Sequence, residues 1–370
     1  MEFTVSKQDL LQALEPVRDV VEKRNSIPVL ANMLIESIDE RAVKITGTDL
    51  DVWIHSEVEV EDLVTGRAIC ISARHLFDLA SVLPDLPVKI KTEEGDWISV
   101  ASGNAAFKLL GISRDAFPEV PAFKKTPIRI PASLFKGFTD RTIFAITQEE
   151  SRYTLSGSKF VVDKDGIKVI TTDGHRLALV THSGIIANGN LPIDILIPRK
   201  TSAVLSKLTA TPDGDIHIGV DDSHFYCHAG SWRLISRLLY GQFPNYEMVM
   251  PKDNDKSAVI DRSLLGAAIR RVVLMADERS RAIELNFQAN QIAITASDGC
   301  EREARETIPC EYEGEETRIG LNAQFLQDFI NAVAGPRFVM EFKGSESQVE
   351  LRPIASETLD YTYIVMPMRL

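Results

Sequence analysis

The residues with the clearest potential for chemistry are an aspartate and a histidine two positions apart. Asp173 and His175 lie in the run Thr172-Asp173-Gly174-His175-Arg176. A carboxylate beside an imidazole is a pair that general acid–base catalysis uses, so an enzyme that works through Asp173 and His175 is one hypothesis. No P-loop, G-x-G-x-x-G, G-x-S-x-G or H-E-x-x-H pattern accompanies the pair. The sequence therefore lends no support to an ATP-driven or hydrolytic activity.

The aspartate of this run recurs twice in the chain, whereas the histidine does not. The related runs are Lys44-Ile45-Thr46-Gly47-Thr48-Asp49, Val169-Ile170-Thr171-Thr172-Asp173-Gly174 and Ala293-Ile294-Thr295-Ala296-Ser297-Asp298-Gly299. An aspartate in a turn accepts hydrogen bonds from nearby backbone amides. Because catalysis needs one such residue and the chain has three, we interpret Asp49, Asp173 and Asp298 as turn residues. The sequence predicts no catalytic residue.

Other landmarks recur at a similar spacing of about 125 residues. Phe117-Pro118 and Phe243-Pro244 lie 126 residues apart, and the runs Val120-Pro121, Val249-Met250-Pro251 and Val365-Met366-Pro367 resemble one another. Such a period is a whole domain rather than a solenoid unit. We predict three copies of one domain at residues 1–123, 127–251 and 252–370.

Each copy has the pattern of two helices and many strands. Ser6 followed by Asp9 predicts a helix start, and Leu10, Leu14 and Val17 form an apolar stripe behind it. The second helices are predicted after Ser72, Pro198 and Asn322. Alternating strand-like stretches include residues 88–90, 98–100, 160–162 and 216–220. The expected class is α+β, with sheets that carry helices on one side.

Composition restricts the function classes without choosing one. The net charge is −12, from 41 basic and 53 acidic residues, which argues against a surface that grips nucleic acid everywhere. DNA contact at one restricted surface stays compatible with it, and an acidic interaction scaffold that never meets DNA is the alternative.

The cysteines and the N-terminus also carry information. The four cysteines form no C-x-x-C pair and no histidine cluster completes a metal set, so buried or incidental thiols are expected and no metal or cofactor is predicted. No signal peptide and no membrane-spanning run is recognisable, which predicts a cytoplasmic protein without a membrane partner.

The chain resembles the bacterial DNA polymerase III β subunit family, the sliding clamps. The motifs are Arg152-Tyr153-Thr154-Leu155-Ser156-Gly157, Thr172-Asp173-Gly174-His175-Arg176-Leu177-Ala178, Ile197-Pro198-Arg199-Lys200, Gly47-Thr48-Asp49-Leu50, Phe243-Pro244 and the terminal Val365-Met366-Pro367-Met368-Arg369-Leu370. The resemblance implies a non-catalytic subunit that forms a head-to-tail homodimer, with twelve helices around a hole for double-stranded DNA of any sequence. It also implies that the DNA polymerase III α subunit, the clamp loader, other polymerases and repair proteins bind through short peptide motifs.

The resemblance further implies a peptide groove between the second and third copies. Its expected residues are Arg152, Leu155, Thr172, Gly174, His175, Arg176, Leu177, Pro244, Val249, Ile364, Met366, Pro367, Met368 and Arg369. Methionines often fill cores, so Met366 and Met368 as core residues are the alternative. Thr154 stands where the family commonly has an aromatic residue, which puts the groove rim or a nearby DNA contact in doubt.

Simple geometry favours a dimer for a ring. A domain of about 120 residues has a diameter of roughly 35 Å, so three in a triangle leave a gap only ~3 Å in radius and six in a hexagon leave ~17 Å. Two chains of three domains would therefore encircle DNA with C2 symmetry. The resemblance sets Phe107 and Leu109 of one chain against Val273 and Leu274 of the other. The alternative is that these four are core residues of their own domains.

The candidate DNA contacts are polar residues on or near the predicted helices. They are Arg24, Gln148, Arg199, Lys200, Arg270 and Arg271, and ordinary solvated surface is the alternative for each. On a helix predicted over residues 262–276, both arginines lie opposite a core face of Leu265, Ile269, Val272 and Val273. Glu15, Asp19 and Glu22 on the first helix would repel phosphate, which suits weak contacts that permit sliding.

Overall fold

The computed structural model describes residues 1–21, 27–149, 151–184, 192–209, 214–354 and 358–369. These residues separate into two compact units. The first contains residues 1–136 and 200–238, and the second contains residues 137–184, 192–199 and 239–369. The second predicted copy is therefore divided between the units.

Six α-helices form in the described part of the chain. They are α1 (Lys7–Val20), α2 (Ala73–Val82), α3 (Ala132–Thr142), α4 (Arg199–Leu208), α5 (Arg262–Val272) and α6 (Ala323–Ala332). The start of α1 is fixed by Ser6, whose hydroxyl accepts a hydrogen bond from the Asp9 amide over 3.0 Å. The helices predicted after Ser6, Ser72, Pro198 and Asn322 are thus confirmed.

The helix predicted over residues 262–276 is shorter than expected. Helix α5 ends at Val272, and Val273–Met275 continue as a 3-10 turn. Leu265, Ile269 and Val272 are buried as predicted, but Val273 is only half-buried because the tighter turn rotates it away from the core.

Twenty-five strands accompany these helices within the described ranges. The first copy contributes β1 (Glu2–Val5), β2 (Asn32–Ser37), β3 (Ala42–Thr48), β4 (Val52–Glu59), β5 (Glu61–Val64), β6 (Ile69–Ser72), β7 (Val88–Thr92), β8 (Trp97–Ser102) and β9 (Ala105–Leu110). The second contributes β10 (Ile128–Pro131), β11 (Gly157–Asp163), β12 (Gly166–Thr172), β13 (Arg176–Ser183), β14 (Ile193–Pro198), β15 (Asp215–Val220), β16 (His224–Ala229) and β17 (Trp232–Arg237). The third contributes β18 (Lys256–Asp261), β19 (Ala282–Gln288), β20 (Gln291–Ser297), β21 (Glu303–Glu311), β22 (Thr317–Asn322), β23 (Arg337–Phe342), β24 (Val349–Pro353) and β25 (Asp360–Val365). This repeated order agrees with the predicted three-copy α+β class.

The first unit contains two sheets. A five-stranded sheet has the order β5-β1-β7-β8-β9, and an eight-stranded sheet has the order β10-β15-β16-β17-β4-β3-β2-β6. In the larger sheet β17 pairs antiparallel with β4, with Leu234 opposite Ile54. Strands of the second copy thus continue a sheet of the first copy.

The second unit contains one sheet of twelve strands. Its order is β14-β11-β12-β13-β25-β24-β23-β18-β21-β20-β19-β22. Strand β13 of the second copy pairs antiparallel with β25 of the third, with Ala178 opposite Tyr363. Both of these residues are fully buried. Consecutive copies are therefore joined by backbone hydrogen bonds as well as by side chains.

The four cysteines are free thiols that differ in burial. Cys70, Cys227 and Cys310 are buried free thiols and Cys300 is an exposed one, as the sequence predicts. Burial raises the pKa of the Cys70 thiol to about 12, so this thiol is unreactive at neutral pH. Across the described residues, no helix is both long and apolar enough to cross a membrane.

Candidate functional site

A groove of about 510 Å³, partly open to solvent, lies in the second unit. It is bordered by the 3-10 turn Tyr153–Leu155, the ends of β12 and β25, the start of β13 and the 3-10 turn Tyr246–Val249. Its lining residues are Leu155, Thr172, Gly174, Arg176, Leu177, Phe243, Pro244, Asn245, Tyr246, Val249, Ile364 and Met366. The following text calls this the groove.

Strand register brings the floor of the groove together. Thr172 lies opposite Leu177 in the β12–β13 pair, and Leu177 lies opposite Ile364 in the β13–β25 pair. Directly opposite residues point to the same face of a sheet, so Leu177 and Ile364 stand side by side. Leu177, Phe243 and Ile364 are buried, and Leu155, Tyr246 and Val249 pack against them. The result is an apolar floor with half-exposed apolar walls.

The groove contains nine of the predicted groove residues and three that the sequence analysis missed. The nine are Leu155, Thr172, Gly174, Arg176, Leu177, Pro244, Val249, Ile364 and Met366. The missed residues are Phe243, Asn245 and Tyr246. A signal for them existed, because Phe243-Pro244 is a repeat landmark and an Asn followed by an aromatic residue lies just beyond it.

The other five predicted groove residues lie outside its lining. Arg152 donates from Nη1 to the Asp173 carbonyl over 2.7 Å, and its Nε lies 3.0 Å from Glu149 Oε2. His175 and Arg369 are exposed. Pro367 and Met368 are half-buried, and the Met368 amide donates to the Gly320 carbonyl over 2.8 Å. Neither Met366 nor Met368 is fully buried, so they are not pure core filler.

The aspartate of each repeated run is a turn residue. Asp173 Oδ1 accepts from the amides of His175 and Arg176 over 2.9 and 3.1 Å. Asp49 Oδ1 accepts from the amides two and three positions later over 3.0 and 2.7 Å. Asp298 Oδ1 accepts from the next three amides beyond Gly299. These bonds confirm that the repeated aspartate is a turn residue in all three runs.

Gly174 allows this turn to approach the groove closely. Its φ of +89° lies in the left-handed region, where a side chain would be strained. A Cβ at this position would also lie 2.9 Å from Arg152 Nη1. The glycine therefore lets the Arg152 guanidinium pack over the turn and brace it.

Arg176 is the most highly connected side chain of the site. Its Nε lies 2.9 Å from Asp173 Oδ2, and its guanidinium also donates to the Phe144 carbonyl over 2.5 Å. Its Nη1 donates to Asp328 Oδ2, and its Cζ lies 4.4 Å from the centroid of the Phe325 ring. Arg176 thus fastens the turn of the second copy to helix α6 of the third.

The surroundings of Arg176 keep it charged. Burial lowers the pKa of the guanidinium, but the Tyr363 hydroxyl and the Asp328 carboxylate outweigh it, so the pKa lies above its ordinary value. Burial raises the pKa of Tyr363 well above its usual range. Neither of these two groups changes charge near neutral pH.

Some of the predicted DNA contacts already have a hydrogen-bond or ion-pair partner within the chain, and others do not. Arg199 Nη1 donates to the Ile146 carbonyl over 2.6 Å, and burial together with nearby Arg176 lowers the pKa of its guanidinium. Lys200 forms an ion pair with Asp49, and Arg271 forms one with Glu306. Lys200 and Arg271 are therefore neutralised within the chain, and Arg199 is held by a carbonyl. Arg24 lies outside the described residues, as does Glu22.

Two predicted contacts remain available. Gln148 is exposed in the loop before the 3-10 turn at 153–155, and Arg270 is exposed on α5. Neither has a hydrogen-bond or ion-pair partner among the described residues. Arg270 lines a polar pocket of about 560 Å³ with Arg262, Ser263, Gly266, Ile330 and Asn331. Arg262 lines the same recess, and its Nη1 donates to the Val333 carbonyl over 2.7 Å.

The acidic side chains of α1 are also partly neutralised. Asp19 forms ion pairs with Arg18 at 3.1 Å and with Lys207 at 2.8 Å. The repulsion expected between this helix and phosphate is therefore weaker than the sequence suggests.

The four predicted interface residues differ in exposure. Phe107 is 40% exposed on β9, and Leu274 is 66% exposed in the turn after α5. Leu109 and Val273 are half-buried. Since none of the four is fully buried, they are not core residues of their own domains.

Among the described residues no group of three or more His, Cys, Asp or Glu side chains could hold a metal ion.

Comparison with known families matches the chain along its length. Family models of the DNA polymerase III beta subunit match it three times: the N-terminal domain over residues 1–121, the central domain over 129–245 and the C-terminal domain over 247–369. A beta sliding clamp from Pseudomonas putida is 33% identical to this chain over 100% of both proteins. One from Escherichia coli K12 is 29% identical over 100% of both.

Solved structures give the same likeness. The DNA polymerase III subunit beta from Pseudomonas aeruginosa has a TM-score of 0.91 and 32% identity, and each chain covers 100% of the other. A sliding clamp from the same species bound to griselimycin has a TM-score of 0.92 and 31% identity at the same coverage. The likeness extends over every element that builds the groove.

Proposed function

The chain belongs to the DNA polymerase III β subunit family of sliding clamps, and from that premise we propose that two copies close into a ring around duplex DNA and hold replication enzymes there through the groove. The chain is a non-catalytic processivity factor of DNA polymerase III. The head-to-tail joint between the two copies, the peptide partners and a cytoplasmic location are parts of this proposal.

The observation that carries the proposal is the groove itself. The groove is open to solvent, and its floor is formed by the apolar residues Leu177, Phe243 and Ile364. Such a groove fits an extended peptide with apolar anchors better than it fits a water-soluble substrate. Two such anchors at about 2 kcal/mol each, after ordering costs, contribute about 4 kcal/mol, which by itself corresponds to weak binding with a Kd of about 1 mM. Affinity in that range lets the polymerase α subunit, the clamp loader, other polymerases and repair proteins exchange.

DNA is held by topology more than by contact in this proposal. Arg199, Lys200 and Arg271 are committed to partners within the chain, which leaves Gln148 and Arg270 as the stronger candidates. A few weak contacts to phosphates do not distinguish one base sequence from another, and a closed ring does not need to distinguish them. Arg24 remains a candidate from the sequence alone.

The test is retention on DNA with and without ends. The protein is loaded on nicked circular DNA and isolated by gel filtration, and the circle is then cut once with a restriction enzyme. We expect retention on the circle and loss from the linear product. Equal retention on both forms would show binding by contact and overturn the ring. No retention on the circle in the presence of a clamp loader would favour an acidic scaffold instead.

A further inference from the structure

Two histidines face each other across neighbouring strands of the eight-stranded sheet. His217 on β15 lies directly opposite His228 on β16, so both side chains stand on one face of the sheet. Their imidazole rings stack, with centroids 4.6 Å apart and planes inclined by 10°. The other face is core at this point, because the adjoining Ile218 and Cys227 are fully buried. The following text calls His217 and His228 the histidine pair.

Most ring nitrogens of the histidine pair have no protein partner. Thr126 Oγ1 lies 2.8 Å from His228 Nδ1. Among the residues that the structure describes, neither nitrogen of His217 forms a hydrogen bond, and His228 Nε2 forms none either. Both side chains are half-buried rather than part of the core. Nitrogen lone pairs of both rings are therefore accessible to a ligand from solvent.

The contact with Thr126 can select the form of His228 that binds metal. A neutral imidazole carries a proton on one nitrogen and a lone pair on the other. When His228 Nδ1 donates to Thr126 Oγ1, Nε2 presents its lone pair outward. Metal-bound histidines almost always donate their second nitrogen to an outer acceptor of this kind. Gly219 helps to hold Thr126 in place, since a Cβ at position 219 would overlap the carbonyl oxygen of the adjoining Lys125.

Charged neighbours leave the histidine pair suitable for a cation. Arg129 lies opposite the first histidine and Arg233 opposite the second. Each arginine has a carboxylate partner, because Arg129 Nε donates to Asp215 Oδ2 over 2.5 Å and Arg233 lies 3.6 Å from Glu57. Burial, with smaller effects from the neighbouring histidine and Arg233, lowers the pKa of His228 below its ordinary value. His228 is therefore neutral at pH 7, as a metal ligand must be.

The spacing of the stacked rings is close to the spacing that one metal ion requires. Zn–N bonds of about 2.0–2.1 Å at a tetrahedral centre place two ligand nitrogens about 3.4 Å apart. The ring centroids are 4.6 Å apart, so the two rings must tilt toward each other by about 1 Å. Rotation about the Cβ–Cγ bond of histidine is soft, and both rings are partly exposed. Side-chain rotation alone therefore converts the stacked pair into a chelating pair.

We propose that a ring nitrogen of His217 and Nε2 of His228 together bind one divalent transition-metal ion, with Zn²⁺ as its type and Thr126 as a positioning residue. Imidazole is a ligand that zinc, copper and nickel ions favour. No described group of three His, Cys, Asp or Glu side chains could hold a metal, so water completes the coordination. The site needs neither the ring nor the groove, and its failure would leave the proposed function intact.

A bound ion would act on the connection between the first and second copies. It would link β15 to β16 through the two rings, and through Thr126 it would hold residues 123–126 against the sheet. The Phe123 ring already packs edge-on to His228, with centroids 6.0 Å apart. Metal binding should therefore stabilise the first unit, which contains all of these residues.

Calorimetric titration with zinc chloride at pH 7 tests the site. The whole chain is used without a histidine tag, in a Cys300→Ser background that removes the exposed thiol. We expect one Zn²⁺ per chain, and His217→Ala or His228→Ala should each weaken binding by at least about tenfold. His75→Ala, at an exposed position on α2, is the matched control and should bind as the parent does. No uptake of Zn²⁺ by the parent, or unchanged affinity in either variant of the pair, overturns the site.

Two substitutions of Thr126 test the positioning role. Thr126→Val keeps the shape but removes the hydroxyl, and it should weaken Zn²⁺ binding about tenfold. Thr126→Ser keeps the hydroxyl and should bind as the parent does. A purely structural role would instead lower stability without metal and leave the affinity for Zn²⁺ unchanged. Equal affinities in Thr126→Val and the parent, or equal losses in both variants, contradict the role assigned to the hydroxyl.

Urea unfolding gives a readout that does not depend on calorimetry. A ligand that binds only the folded chain raises its stability by mass action. Saturating Zn²⁺ should therefore move the urea midpoint reported by tryptophan fluorescence to higher concentration, since Trp232 and the other tryptophans lie in the first unit. The double variant His217→Ala/His228→Ala should unfold cooperatively without metal, which shows that it folds, and should lose the shift. A shift of the same size in the double variant would place the metal elsewhere and overturn the proposal.

Discussion

Asp328 Oδ2 accepts a hydrogen bond from Arg176 Nη1 over 2.5 Å, although 152 positions separate the two residues in the chain. The same guanidinium holds Asp173 of its own turn and packs on Phe325. Because this side chain is only 10% exposed, its charge depends on these partners rather than on water. The contact makes the wall of the groove and the junction between the second and third copies a single structure.

Arg176→Ala should destabilise the second unit. Its loss leaves Asp173 and Asp328 without their shared cation in a largely buried setting, so we expect the free energy of unfolding to fall by about 3 kcal/mol. Urea unfolding followed by far-UV circular dichroism measures this change. Arg302→Ala is the control, because Arg302 makes the equivalent turn contact at an exposed position and should change stability little. Equal losses in the two variants would contradict the role assigned to burial.

Met366→Ala should weaken peptide binding without unfolding the protein. Met366 lines the groove and is half-buried, so its truncation removes about 1.5 kcal/mol of apolar contact, or roughly tenfold in Kd. Fluorescence anisotropy with a labelled polymerase peptide measures the affinity. Met248→Ala is the matched control, since Met248 lies in the neighbouring 3-10 turn but is 79% exposed and outside the groove lining. Unchanged affinity in Met366→Ala would show that the groove is assigned wrongly.

Val273→Ala with Leu274→Ala should yield a folded monomer. The two residues follow α5 in a 3-10 turn, and a symmetric ring would lose them at both joints, at about 1–2 kcal/mol for each side chain. Sedimentation velocity across a concentration series measures the change. Leu264→Ala, which shortens another exposed leucine of the same region, should remain a dimer. An intact dimer in the double variant would count against the interface.

Arg270→Ala should reduce the salt dependence of loading on DNA. Arg270 is an exposed cation in a recess with Arg262, and loss of one phosphate contact lowers the slope of log K against log salt by about one. Loading on nicked circles at several salt concentrations gives the slope. Arg352→Ala removes a cation that is already paired with Glu341 and Glu350 and should leave the slope unchanged. Rings already closed on circular DNA should stay bound in both variants.

Acid should weaken the first unit through His55. Burial, with smaller effects from Lys44 and Arg233, lowers the pKa of His55 from 6.5 to about 4. Since the unfolded chain takes up the proton at higher pH than the folded chain, stability is retained above pH 6.5 and falls as the pH drops toward 4. The loss between pH 7 and pH 5 should be about 2 kcal/mol.

The measurement for His55 uses the tryptophans. Trp53, Trp97 and Trp232 all lie in the first unit, so their fluorescence during urea unfolding reports that unit. His55→Gln should abolish most of the difference between pH 7 and pH 5. His75→Gln, at an exposed position on α2, should keep it. A His55→Gln variant with the full acid loss would assign that loss to another group.

Local patterns in the sequence predicted the parts of the fold that depend on local physics. Ser6 caps α1 because a hydroxyl at that position meets the free amide of Asp9, and no distant residue is needed for it. The aspartate turns are predictable for the same reason, since Asp173 bonds to amides two and three positions away. The end of α5 was missed because a 3-10 turn and a further helical turn share one apolar pattern.

The family resemblance predicted more of the groove residues than local sequence patterns did, but it did not predict all of the residues that line the groove. Leu177 and Ile364 meet only because β13 pairs with β25, and no spacing along the chain encodes that register. Tyr246 was missed because its place in the groove depends on how residues 243–249 fold back across the floor. Arg369 was expected in the groove because it belongs to the terminal run that carries the resemblance, and its side chain is 94% exposed and outside the groove lining.

The sequence by itself determined the threefold repeat, the helix starts, the strand alternation and the turn role of the aspartates, because each depends on residues within a few positions of one another or on their recurrence. Only the tertiary structure decided which charges are free. Arg199, Lys200 and Arg271 look like ordinary surface cations in the sequence, but a carbonyl and two carboxylates far along the chain occupy them. The availability of a charge depends on what lies within about 4 Å of it, and in a folded chain that neighbour is set by packing rather than by sequence position.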